Sequence, residues 1–132
     1  MEDAVTLLLV EDEPLLQNIM VAGLEDAGFR VVTAADGATA SKSFHANADE
    51  IAALITDVRL GAGLDGWEVA RRARQMRPEL PVVYMTGDSA ADWAAKGVPK
   101  SVLLQKPFAI QQAVIAVATL LNEASSTITH NS

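Results

Sequence analysis

The chain has 132 residues, with 17 acidic against 10 basic side chains and a formal net charge of -7. That length suits one domain with its own core, and the negative balance argues against nonspecific binding to nucleic acid or anionic membranes, which needs a positive field. There is no cysteine, so disulfides, thiolate nucleophiles and cysteine metal sites are excluded.

Val5 to Val10 reads as a first buried strand. It follows Glu2 and Asp3 and is too short for a signal or membrane segment, so a soluble cytoplasmic domain is expected. The strand ends in Glu11-Asp12-Glu13, and Pro14 follows at a favoured first helical position. Leu15, Leu16, Ile19, Gly23, Leu24 and Ala27 recur at helical spacing until Gly28 stops the helix. Arg30 to Ala34 is a short second strand, Asp36-Gly37 is turn chemistry, and Ala38 to about Ala46 is a weaker second helix.

Ile51 to Thr56 then runs without a charge and stops at Asp57. A short apolar run rich in Ile and Leu suits a strand covered on both faces. A glycine-rich loop, Gly61 to Gly66, leads to a helix from about Trp67 to Arg77, closed by Pro78. Pro81 to Thr86 is a fourth strand with Pro at its permitted first position. Asp88 to Lys96 is a short helix ended by Gly97, and Ser101 to Gln105 is a fifth strand. Lys106-Pro107-Phe108 opens a final helix to about Asn122. Residues 123–132 are polar and expected to be a disordered tail beyond a single domain, 1–122.

Strands alternating with helices imply an α/β fold: a mostly parallel five-stranded sheet covered on both faces and joined by right-handed crossovers. In such a sheet all carboxyl ends share one edge, where ligand sites form. The ends here are Glu11 and Asp12, Asp57, Thr86 and Lys106. Singly each has a plain structural reading: a solvated acid, a helix N-cap, a surface lysine. Together they converge on one crevice. Carboxylate pairs at ~4 Å and an effective dielectric of about 20 repel by on the order of 4 kcal/mol. Either one acid stays protonated or a cation sits among them. An all-oxygen site that keeps waters suits Mg²⁺. With an ammonium and a hydroxyl added, it can take a phosphoryl group, leaving one Asp free as nucleophile.

Val10-Glu11-Asp12-Glu13, Asp57 with Gly66 after it, Thr86-Gly87 and Lys106-Pro107-Phe108 together resemble the receiver domain of two-component response regulators, over about residues 5–122. The resemblance implies a flavodoxin-like (βα)5 fold with strand order 2-1-3-4-5. It implies Asp57 as phosphoacceptor toward the phosphohistidine of a histidine kinase or histidine phosphotransfer protein. Asp12, Asp57 and the main-chain carbonyl of Arg59 would ligate Mg²⁺, with Glu11 holding the ion through water. Lys106 would pair with phosphoryl oxygens, Thr86 would turn toward them, and Gly87 would leave room. A cis Lys106-Pro107 bond is implied as well. The output would be a changed affinity for a downstream effector protein, with no DNA-binding domain, no nucleic acid and no membrane involved.

Three features depart from the family pattern. The loop after Asp57 is longer, the segment from Thr86 to Lys106 is shorter, and Leu103 stands where an aromatic commonly switches rotamer. The sequence also leaves open a receiver cut from a hybrid kinase. A Mg²⁺-dependent phosphatase with an Asp nucleophile is the rival from another class, but it would want a second acid where Arg59 stands. Arg71, Arg72, Arg74 and Arg77 crowd one helix, as a solvated face or as a phosphate patch. The final helix has a core stripe of Ile110, Ala113, Val114, Val117, Leu120 and Leu121, yet Ile115, Ala116 and Ala118 leave its other side nearly uncharged. That side is either an alanine-rich surface or one covered by a partner or a second copy in a homodimer. His45 and His130 lie away from the crevice.

Overall fold

Leu7, Leu8, Leu9 and Val10 are all fully buried, so the first strand has no wet face. The computed structural model describes the backbone of residues 4–130 and the side chains of residues 4–124. Strand β1 (Thr6–Val10) lies inside a five-stranded sheet with β2 (Arg30–Ala34), β3 (Ile51–Asp57), β4 (Val82–Thr86) and β5 (Ser101–Gln105). The order is β2-β1-β3-β4-β5, and every pairing is parallel. This is the doubly wound topology that the resemblance implied.

Because side chains alternate along a strand, the sheet divides the core in two. Leu7, Leu9, Ile55, Val83 and Met85 pack with Met20, Leu24, Ala113 and Val117, under helices α1 (Pro14–Asp26) and α5 (Ile110–His130). Leu8, Val10, Leu54 and Tyr84 pack with Phe44, Trp67, Val69 and Ala73, under α2 (Gly37–Asn47) and α3 (Gly66–Met76). The helix ends follow their local chemistry. Pro14 opens α1. Gly28, at φ 101, takes the left-handed position that follows the helix, while Phe29 N–H closes back onto the Leu24 carbonyl and Gly28 N–H onto Glu25. Asp36 and Asp65 cap α2 and α3 by accepting from Thr39 N–H at 2.7 Å and Glu68 N–H at 2.9 Å.

Two elements differ from expectation. The fourth helix shrinks to a 3-10 turn (Ala90–Asp92) followed by a single turn, α4 (Trp93–Lys96). With Gly97 close behind, the short segment leaves no room for more. Helix α5 runs to His130 rather than ending near Asn122, so the tail expected from residue 123 is helical that far, and 131–132 lie outside the described residues. The stretch is polar, but it holds no Gly or Pro to stop a helix. Along α5, Ala113, Ala116, Val117 and Leu120 are buried, whereas Ile115 is 63% exposed.

Candidate functional site

The register of the sheet decides which side chains meet. Val10 pairs with Thr56, Asp57 with Met85, and Thr86 with Gln105. The residues that end or follow these strands therefore line up along one carboxyl edge. Glu11, Asp12 and Asp57 each place a carboxylate oxygen within 4.8 Å of the others. Lys106 reaches in from the far end of β5, its Nζ donating to Glu11 Oε1 at 3.3 Å and to Asp57 Oδ2 at 3.2 Å. Glu11 is held in place further: its Oε2 accepts from Glu13 N–H at 3.1 Å, and Gln17 donates to its main-chain carbonyl at 3.1 Å.

Burial governs the electrostatics. Glu11 is 1% exposed and Asp57 6%, while Asp12 is open to solvent. Desolvation, reinforced by the Asp57 charge, pushes the Glu11 carboxyl up to about 7 against the pull of Lys106 and the Glu13 amide. Asp57 moves up in the same sense, mainly through burial and then through the Asp12 charge, with Lys106 opposing. For Lys106 burial alone would lower the pKa, but Asp57 and Glu11 outweigh it and hold the ammonium charged. One ammonium thus faces three carboxylates and does not neutralise them. A cluster of hard oxygen donors with excess negative charge is chemically suited to a divalent cation.

The other expected residues sit differently. Thr86 is buried at the same edge, but its Oγ1 accepts from Ser89 N–H at 2.8 Å and Asp88 N–H at 3.3 Å. Its hydroxyl thus holds the following turn, and among the described residues it has no hydrogen bond to Asp57 or Lys106. The Arg59 side chain points outward and donates from Nε to Asp88 at 2.9 Å. Gly87 has open space around the position a Cβ would take, whereas a Cβ on Gly66 would run into the Asp57 carbonyl. Gly66 N–H also donates to the Val58 carbonyl at 2.8 Å, so the loop after Asp57 folds back tightly onto it. The Lys106-Pro107 peptide is cis, and Lys106 N–H donates to the Thr86 carbonyl at 2.8 Å. Sequence reasoning missed Asp88, Ser89 and Gln17. An Asp-Ser pair after a strand reads as an ordinary helix start, and nothing local marks Arg59 as its partner.

An acidic crevice with an inserted lysine, at the carboxyl edge of a doubly wound parallel sheet, defines a receiver-type domain. The chain belongs to the response regulator receiver domain family, whose model matches residues 7–118. It is similar to the response regulator receiver protein of Sinorhizobium medicae, at 43% identity over 92% of this chain and 98% of that one, with a TM-score of 0.89. It is 31% identical to the receiver protein CpdR of Brucella abortus, covering 87% of this chain and 95% of CpdR. The receiver domain of the sensor histidine kinase PA1611 of Pseudomonas aeruginosa is 27% identical, with 91% and 99% of the two chains covered and a TM-score of 0.76; that structure has a magnesium ion coordinated in its active site cleft. The chain spans about half the length, 52% and 53%, of the Mycobacterium tuberculosis transcriptional regulatory proteins TcrX and PrrA. Among the described residues no helix is long and apolar enough to cross a membrane.

Proposed function

We propose that this receiver takes a phosphoryl group onto Asp57 from the phosphohistidine of a histidine kinase or phosphotransfer protein, and signals to an effector protein by changing shape. The observation that carries this reading is the placement of Lys106 Nζ on Asp57 Oδ2, with Glu11 and Asp12 alongside. In the transfer, an Asp57 oxygen bonds to phosphorus as the phosphorus–nitrogen bond breaks, and the electron pair stays on the imidazole. Lys106 already lies against the nucleophile, so it can follow the phosphoryl oxygens without rearranging. Glu11 and Asp12 would otherwise repel the incoming anion. Asp12, Asp57 and the main-chain carbonyl of Arg59 would hold Mg²⁺, with Glu11 acting through water, and the ion supplies positive charge against both the acids and the phosphoryl oxygens. Thr86 can turn toward the phosphoryl group only by giving up the Ser89 and Asp88 amides. Leu15 and Ile19, 68% and 52% exposed on the turns of α1 just past Glu13, form an apolar flank on which a donor protein can settle.

Incubation with acetyl phosphate and Mg²⁺, followed by intact mass, tests this directly. The wild type gains one phosphoryl group and Asp57→Asn gains none. Labelling of the Asn variant at the wild-type rate would remove Asp57 as the nucleophile.

A further inference from the structure

The charges of this chain are unevenly placed. Residues 1–57 hold 11 of the 17 acidic side chains and two of the 10 basic ones, Arg30 and Lys42. With the strand order β2-β1-β3-β4-β5, most of the acids gather on the β2–β1–β3 side, and a basic flank forms beside β4 and β5. There Arg71, Arg74, Lys96 and Lys100 meet, where α3 faces the turn before β5. Arg71 Nη1 donates to the Lys96 carbonyl at 3.3 Å, and Arg74 Nη2 to the Lys100 carbonyl at 3.3 Å. Between them runs a groove of about 490 Å³, bordered by Gln75, Pro78 and Pro99, with Glu79 as the one acid lining it among the described residues.

Lys100 is the one non-glycine residue at positive φ, 58, among the described residues. Glycine takes that conformation with less strain, and a lysine keeps it only where the surroundings enforce it. Arg74 does so from α3, donating to the carbonyls of Pro99 and Leu80 as well, each at 2.7 Å. Ser101 Oγ adds a bond to the Val98 carbonyl at 2.7 Å. The stem of an exposed lysine is thus fixed at the mouth of the groove. Neither Lys96 nor Lys100 has an ion pair among the described residues, and the Arg74 charge is met only by carbonyl dipoles. We infer that this groove docks a short acidic segment of a partner protein. Its carboxylates lie on Lys100, Lys96 and Arg71, and an apolar side chain rests against Pro78 and Pro99. A short segment stays within about 8 Å, the screening length at physiological salt, and feels the local positive charge. A nucleic acid would extend further, into the field of a chain with net charge -7. Lys100 directly precedes β5, at the sheet edge opposite Asp57, so the inference is independent of the phosphoacceptor reading.

The test titrates the full chain, isotope-labelled for NMR and free of divalent ions, with a short peptide of glutamates around a central leucine. Amide shifts should gather on Arg71, Gln75 and Lys100 and fade as salt is raised. Lys100→Gly removes the charge but suits the positive φ. It should therefore keep a Tm no lower than the wild type, yet bind about threefold more weakly, the size of one exposed ion pair. Glu79→Gln removes the opposing charge and should tighten binding about twofold. A groove that serves only the fold gives neither change. No shifts at millimolar peptide, shifts centred elsewhere, or an unchanged affinity in Lys100→Gly overturn the inference. So does a single-stranded oligonucleotide that binds the same amides more tightly than the peptide, which would make the flank a nucleic-acid surface. Self-association that Lys100→Gly abolishes would likewise overturn it, by making the occupant a second copy.

Discussion

Glu11 is the side chain whose placement costs most and whose titration is easiest to follow. Its carboxyl, raised from the ordinary 4.5 to about 7 by burial and by Asp57, binds a proton more tightly in the folded chain than in the unfolded one. Between those two values the folded state holds more protons, so stability falls as pH rises through that window, and Asp57 acts in the same direction. In the absence of divalent ions, urea unfolding should show a loss on the order of 2–3 kcal/mol from pH 4.5 to 7. Glu11→Gln should flatten most of that slope; an unchanged slope would place the charge cost elsewhere. Asp36, Glu68 and Asp88 are shifted the opposite way by their hydrogen-bond partners, so their stabilisation is present above their unfolded values and fades only as pH drops below them. The four pocket residues were legible in the sequence because each stands where a strand must end, and parallel strands end together. The direction of the Thr86 hydroxyl and the Arg59–Asp88 contact were not. Rotamers and pairs 29 residues apart leave no periodic trace.

At the scale of elements, the arginine-rich helix α3 shows how composition misleads until donors are counted. Arg77 Nη1 donates to the carbonyls of Ala48 and Ile51. Arg74 donates to the carbonyls of Leu80 and Pro99, each at 2.7 Å. These two guanidiniums tie the helix to the amino ends of β3, β4 and β5 and are spent on structure rather than on a phosphate. Arg71 and Arg72 share Glu68 on the surface. Thermal or urea denaturation should therefore separate the two kinds. Arg77→Ala should cost about 1–3 kcal/mol, since two carbonyls lose their donor, whereas Arg72→Ala should stay within about 0.5 kcal/mol. Equal effects would mean the buried contacts are not the stronger ones. The strands and the first three helices were readable because hydrophobic period and capping residues agree there. Helix α5 was underestimated because its end was inferred from polarity, while a helix end requires a breaker or a cap. Helix α4 is too short for any period to register.

Across the whole molecule, phosphorylation at Asp57 as proposed would have to reach a partner without an aromatic at position 103. Leu103 is half-buried and packs on the α2–α3 side of the core, paired across the sheet with Tyr84. Tyr84 is fully buried, its ring centroid 4.7 Å from that of Trp67, and its hydroxyl accepts from Val98 N–H at 3.0 Å. The aromatic bulk of this region thus sits on β4, held by Trp67 and by the Val98 amide, and Leu103 has no polar edge to show to water. Exposing it would forfeit only part of the ~1.5–3 kcal/mol that a fully buried leucine contributes, with nothing polar gained in return, so it should stay packed in both states. If Thr86 moves as proposed, the hydrogen bonds of its hydroxyl lead into the Asp88–Ser89 turn and on to the 3-10 segment and α4, where Trp93 is 37% exposed and donates to Ser101 Oγ at 2.9 Å. Trp67, by contrast, is locked in the core although it lies close after the Asp57 loop, so its emission should hardly change. In a Trp67→Phe background the remaining Trp93 should respond to beryllofluoride with Mg²⁺. Leu103→Ala should lose about 1–2 kcal/mol of stability and keep that response. A silent Trp93, or a crystal structure with beryllofluoride in which Leu103 has swung out to solvent, would show that the signal leaves through β5 after all.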